Sequence, residues 1–218
     1  MGEALIVRRG GTGGGGGGSY TVTLTSLLPS GTETVTYTGT ASGTVSIVNG
    51  TGSVLLPTGT YTFTSSDTVW TSGTVAVTGN ISINCWYGTP VYWYGNMLNT
   101  GGWYKGNSSM GYDVESNCIG VSSGSTGTNR QLATENTYDL TNFSSINAYY
   151  YYNGSNYTGY IGYGTVKSAG YNNAIQTERH VPLQVGTISL TQHPSAAYLY
   201  FGCNAGSTRS YLYAMWLN

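Results

Sequence analysis

Residues 20–25 read Tyr20-Thr21-Val22-Thr23-Leu24-Thr25, and residues 34–38 read Thr34-Val35-Thr36-Tyr37-Thr38. Alternation of an apolar residue with threonine is the period of a β-strand that has one buried and one wet face. Working outward from these two, strands are expected at Thr44–Val48, Ser53–Leu56, Thr60–Ser65, Thr74–Thr78 and Asn80–Trp86. Turn formers separate them: Pro29-Ser30-Gly31, Asn49-Gly50, Pro57-Thr58-Gly59, Ser72-Gly73 and Gly79-Asn80. Short strands at roughly ten-residue spacing predict a small β-sandwich over residues 20–86.

The composition agrees. Thr, Tyr, Val, Gly and Asn favour strands and turns, whereas the helix formers Glu, Lys, Arg and Gln are scarce. Charged residues make up 7% of the chain, and the formal net charge is −1. Seven Lys and Arg spread over 218 residues leave no basic footprint for a nucleic acid. No apolar run is long enough to span a membrane as a helix. Three cysteines, Cys85, Cys118 and Cys203, cannot all pair with one another, and they lack metal-ligand spacing. Each is read as a reduced, buried residue.

Residues 1–19 differ from the rest. A short apolar-basic peptide, with Leu5, Ile6, Val7, Arg8 and Arg9, precedes a glycine run. The two arginines follow the apolar run instead of preceding it, which is not the order of a secretion signal. The segment is expected to be an attachment peptide and flexible linker.

Residues 87–218 change texture again. They hold 18 of the 21 tyrosines, in runs such as Tyr92-Trp93-Tyr94 and Tyr149 to Tyr152. Tyr198 to Cys203 and Tyr211 to Leu217 read as strands, the latter central to its sheet. In a strand, residues 149 and 151 face one way and residues 150 and 152 the other. Half of the run therefore lies outside the core.

Tyrosine and tryptophan join an apolar body to a polar tip. That suits the C–H faces of sugars, while amides and hydroxyls serve the sugar edges. Candidate glycan contacts are Trp93, Tyr94, Trp103 and Tyr104 in one loop region. In the other they are Tyr150, Tyr152, Asn153 and Tyr157. The competing reading of these residues is cross-strand packing in a sheet or at a subunit contact. No catalytic set is expected: Asp113 and Glu115 share a strand face, but no nucleophile-elbow motif accompanies the two histidines. No metal site and no cofactor are expected.

The stretch Leu55-Leu56-Pro57-Thr58-Gly59-Thr60-Tyr61-Thr62-Phe63 resembles the strand-turn-strand of carboxypeptidase-regulatory-like and PEGA-type modules. It implies an Ig-like or prealbumin-like sandwich with Tyr61 as a core anchor. The order Tyr138–Ile146, Thr187–Gln192, Tyr198–Cys203 and Tyr211–Asn218 resembles the C-terminal jelly-roll, lectin-like modules of tail and fibre proteins of Firmicute phages and prophages. The opening residues resemble phage structural proteins of gut bacteria. This resemblance implies a virion protein: an attachment arm at 1–19, an Ig-like spacer at 20–86 and a jelly roll at 87–218. It further implies other virion proteins as partners of the arm, a host-surface glycan as ligand, a homotrimer, and assembly in the host cytoplasm. A capsid-bound head fibre, a fibre-associated polysaccharide-degrading enzyme and a bacterial surface adhesin are the alternatives.

Overall fold

The computed structural model describes residues 18–28, 31–98, 101–105, 110–114, 117–123, 130–153, 159–167, 176–180, 184–203 and 209–218. The protein is all-β, and among the described residues there is no helix.

The alternating N-terminal region forms seven strands: β1 (Ser19–Thr25), β2 (Thr32–Gly39), β3 (Gly43–Val48), β4 (Thr51–Pro57), β5 (Gly59–Ser65), β6 (Trp70–Val77) and β7 (Ile81–Asn84). Their order is β6-β5-β2-β3-β4-β1-β7. β3 and β4 pair only at Val48 and Thr51, so the path turns over there into two layers. β1 and β7 run parallel. The alternation buries Val22 and Leu24 on β1, Val35 on β2, and Tyr61 and Phe63 on β5. The Tyr61 hydroxyl donates to the Pro57 carbonyl at 2.9 Å, which anchors the turn below it.

The threonines of opposite parity form rows across the outer face. Thr44, Thr36, Thr64 and Thr71 stand in one row, and Thr38, Thr62 and Thr74 in the next. Ser72-Gly73, expected as a turn, lies inside β6. Gly73 takes φ +67° opposite Phe63, where the β5–β6 register slips. The Phe63 N–H then donates to the Ser72 hydroxyl at 3.0 Å in place of a ladder bond. A bulge uses the same residue types as a turn, so the local signal does not separate them.

The remaining strands make two further sheets. One contains β8 (Thr89–Trp93), β9 (Asn96–Met97), β11 (Met110–Val114), β12 (Ile119–Ser123), β14 (Ser145–Asn153), β17 (Gln184–Ser189) and β19 (Arg209–Leu217). Its main order is β11-β12-β19-β14-β17, with β8 also on β19 and β9 on β8. β19 pairs with three strands and is central. The other sheet contains β10 (Trp103–Lys105), β13 (Arg130–Thr134), β15 (Gly159–Gly164), β16 (Gln176–His180) and β18 (Tyr198–Cys203). Its order is β10-β13-β18-β15-β16. The two face each other across a core that includes Ile146, Tyr150, Leu212 and Met215 on one side and Leu132, Ile161, Leu199 and Phe201 on the other.

β7 ends at Asn84 and β8 begins at Thr89, but the packing continues across that break. A second core joins Val22, Phe63, Trp70 and Cys85 to Trp93 and Trp216 of the central sheet. Tyr87 stitches the seam: its hydroxyl accepts from the Thr71 N–H at 3.0 Å and donates to the Val69 carbonyl at 3.3 Å. The first sandwich therefore sits on the outer face of the second, beside β8 and the end of β19.

Candidate functional site

On the outer face of the central sheet a group of aromatic side chains reaches solvent. On β14 the apolar residues Ile146, Ala148 and Tyr150 share one parity and enter the core. Asn147, Tyr149 and Tyr151 take the opposite parity. On β19 the inward set includes Ser210 and Leu212, and the outward set is Arg209, Tyr211 and Tyr213. Pairing sets Tyr151 against Tyr211 and Tyr149 against Ala214, with the register slipping beside Tyr213. The rings then meet in pairs. Tyr151 and Tyr211 stack at 6.0 Å and 23°, while Tyr149 and Tyr213 approach to 5.5 Å. All four are half-buried.

Arg209 closes one end of this strip. Its guanidinium lies 5.3 Å from the centre of the Tyr211 ring, a cation–π contact. Gly120 on the neighbouring strand makes room for it, since a Cβ there would stand 2.6 Å from the Arg209 Nε. At the other end the strip runs into the seam between the sandwiches, through Tyr94, 6.3 Å from Tyr213. Tyr87 and Trp216 follow, with centroids 5.1 Å apart. Beside the strip, Thr187 donates to the Asn147 amide oxygen at 2.7 Å.

At the seam the strip meets a narrow crevice lined by residues of both sandwiches, among them Thr68, Val69, Tyr94, Tyr149 and Trp216. The turn Thr68-Val69 of the first sandwich forms one wall; Tyr149 and Val185 form the other. Val69 and Val185, both among its lining residues, are 49% and 48% exposed. Among the described residues, the non-glycine residues with left-handed backbone are Asn49, Val69 and Tyr94. Asn49 belongs to the Asn49-Gly50 turn, where this is ordinary. Val69 at φ 48° and Tyr94 at φ 41° both line the cleft. A β-branched residue in that region carries real strain, and such strain collects at functional sites.

Burial controls the acids around the seam. It pushes the Cys85 thiol up to about 12, and the Glu33 carboxylate adds to the effect. Burial, then the nearby Tyr149, Tyr87 and Tyr213, hold the Tyr94 hydroxyl far above the usual tyrosine range. On the five-stranded sheet, burial and then Tyr198 push Tyr200 up to about 12, opposed by its hydrogen bond to the Val166 carbonyl. Each group stays neutral in the fold but ionises in the unfolded chain once pH passes its ordinary value of 9.0 for cysteine or 10.0 for tyrosine. Unfolding then releases protons, so stability falls as pH rises. Urea unfolding is expected to show an alkaline decline that starts near pH 9 and steepens past 10. Each group contributes up to about 1.4 kcal/mol per pH unit. A flat profile to pH 11 would contradict the burial of these groups.

The expected contacts are placed differently. Trp93, Tyr94, Trp103 and Tyr150 are all buried, Trp103 at 9% exposure and the others at 6% or less. They are corrected from platforms to core, because Trp93 packs in the seam and Trp103 and Tyr150 point between the sheets. Tyr104 is half-buried on another sheet, and its ring already holds the Lys167 ammonium at 5.1 Å. Lys167 in turn pairs with Glu135. Tyr152 and Asn153 stand on β14 opposite Ser210 and Arg209. Tyr157 lies outside the described residues, as do Leu5, Ile6, Val7, Arg8 and Arg9. Asp113 is opposite Gly120, and Glu115 lies outside the described residues. Sequence reasoning does not single out Tyr149, Tyr151, Tyr211 and Tyr213 as a group. The polar Asn147 and Arg209, of their own parity, carry the signal.

No protein-family profile matches the sequence, and no curated protein aligns with it. Among solved structures, the chain is similar to a family 29 carbohydrate-binding module from Piromyces equi. Identity is 13%, with 59% of this chain and 88% of that one covered and a TM-score of 0.42. It is also similar to CBM86, a low-affinity xylan-binding module from Roseburia intestinalis, at 8% identity over 53% of this chain and 92% of that one, TM-score 0.37. The secreted serine protease VesC from Vibrio cholerae matches at 13% identity over 93% of this chain and 48% of that one, TM-score 0.40. These scores are too low to carry an argument about what this chain does; the β-sandwich architecture stands on its own strands.

Proposed function

We propose that the protein binds carbohydrate on the tyrosine strip of its central sheet. The observation that carries this reading is four half-exposed tyrosine rings, paired on two neighbouring strands. They are flanked by Arg209 and Thr187. Rings at this exposure offer apolar faces to sugar C–H groups, and hydroxyl and guanidinium groups offer hydrogen bonds at the edges. Neighbouring rings on one strand are about 7 Å apart by strand geometry. An extended glycan chain fits such a row better than a single terminal sugar does.

The test is truncation. Tyr151→Ala and Tyr211→Ala should each weaken binding to a glycan array hit or to polysaccharide on an affinity gel by roughly tenfold. The fold should stay intact, with a loss of no more than about 1–2 kcal/mol, the worth of one cross-strand aromatic pair at a half-buried position. Unchanged binding with a change in oligomeric size would assign the strip to a contact between copies instead.

The setting we propose is the outside of a virus particle, as a fibre or receptor-binding component. The sequence resemblance supports this part. Mass spectrometry of purified particles that lack the chain would remove it. Multivalent display there would raise a modest affinity per site.

A further inference from the structure

We infer that Val69 of the first sandwich is a contact residue for the bound glycan, so that the binding face runs from the tyrosine strip across the seam. This inference rests on the carbohydrate-binding reading above and adds a contribution from the N-terminal sandwich. The backbone does not favour valine at this position. Its φ of 48° lies in the left-handed region, where a β-branched side chain is strained and glycine or asparagine is at ease. Burial does not favour valine either, since the side chain is exposed. Yet the turn around it is held residue by residue. The Thr34 N–H donates to the Asp67 carboxylate at 3.0 Å, the Thr68 N–H to the Ser65 hydroxyl at 3.3 Å, and the Thr68 hydroxyl to Glu33 at 3.0 Å. The Tyr87 hydroxyl donates to the Val69 carbonyl itself at 3.3 Å. Strain survives where neighbouring bonds over-determine the conformation, and here they hold an apolar tip out to solvent.

The neighbours of Val69 set what that tip meets. It lines the same crevice as Tyr149 and Val185. Those two are cross-strand partners on β14 and β17, so they share the outer face with Cβ atoms about 5 Å apart. Tyr149 is also the ring that pairs with Tyr213 in the strip. An apolar surface therefore continues from Tyr151 and Tyr211, through Tyr149 and Tyr213, to Val185 and Val69. The crevice itself has room for about one water, so a sugar chain lies over its mouth and does not enter it. None of the described residues that line it is charged. This end of the face therefore suits the apolar side of an uncharged sugar unit, while Arg209 stands at the far end. Tyr149 and Tyr151 are about 7 Å apart along their strand, and Val69 lengthens the face beyond them. On this reading a long oligosaccharide touches both sandwiches.

The full chain is tested by titration calorimetry with cellohexaose, xylohexaose, chitohexaose and any further hit from a glycan array. Val69→Asn tolerates the left-handed backbone and makes the tip polar. It should weaken binding of the probe that wild type takes by about fivefold, what half the burial of a valine side chain is worth. Its urea midpoint should stay the same or rise, because the strain is relieved. Val69→Ile keeps the apolar tip and should bind as wild type does. Tyr151→Ala is run beside them as the control for the strip. Unchanged binding by Val69→Asn, with Tyr151→Ala weakened, overturns the inference while the strip reading stands. A loss in Val69→Asn that comes with a lowered urea midpoint, or that Val69→Ile shares in full, assigns Val69 to the fold of the turn and overturns it too. A change of oligomeric size in Val69→Asn assigns the patch to a contact between copies, with the same consequence. Wild type that binds no hexasaccharide and nothing on the array removes the strip reading and this inference with it.

Discussion

Replacing Trp93 by alanine is expected to cost the fold about 3–5 kcal/mol, the range for a large aromatic removed from a packed core. For a chain of this length that is a fall in Tm of roughly ten degrees or more. Trp93 is 1% exposed and touches Tyr87, Tyr94 and Trp216 at centroid distances of 6.1, 5.5 and 6.2 Å. It belongs to the core that also holds Val22, Phe63 and Trp70 of the first sandwich. The loss should therefore reach both sandwiches, and thermal denaturation should show the β-signal of the whole chain moving down together. A shift of a few degrees, or a low-temperature transition confined to half of the signal, would show that the seam is weakly packed.

The second large effect concerns Glu33, 2% exposed and inside the first sandwich. Hydroxyl groups around it serve in place of a cation. The Ser26 hydroxyl donates to one carboxylate oxygen and the Thr68 hydroxyl to the other, the latter at 3.0 Å. Hydrogen bonds to a charged group are each worth about 1.5–3 kcal/mol. The double variant Ser26→Ala, Thr68→Val strands the carboxylate and is expected to lose about 3–5 kcal/mol in urea unfolding. Adding Glu33→Leu removes the charge along with its donors. An apolar replacement of all the partners is close to neutral in many proteins, so the triple variant should recover about 2 kcal/mol or more. A triple variant no more stable than the double would mean that the carboxylate is not the source of the loss.

The N-terminal sandwich is legible in the sequence because threonine marks one face of nearly every strand. Val22 and Leu24, or Tyr61 and Phe63, can be assigned to the core by counting in twos. The start of β6 is not legible, since Ser72-Gly73 looks the same in a bulge and in a turn. In the larger sandwich the tyrosine run hides its own phase. Tyrosine is at home on either face, so Tyr150 and Tyr152 look as eligible as Tyr149 and Tyr151. The neighbours decide: Ile146 and Ala148 lead into Tyr150, while Asn147 leads into Tyr149. Trp93 is misread for another reason. Its burial comes from a first sandwich some tens of residues earlier and from β19 at the other end of the chain, and no local pattern reports such a partner.

The threonine rows on the first sandwich have a consequence for crowding. Their faces carry hydroxyls where most proteins carry charge, and the whole chain has a net charge of −1. Two copies approaching within the Debye length, about 8 Å in physiological salt, meet almost no Coulomb repulsion. Close spacing of many copies on one support is then limited by shape and hydration, and it should be nearly indifferent to ionic strength.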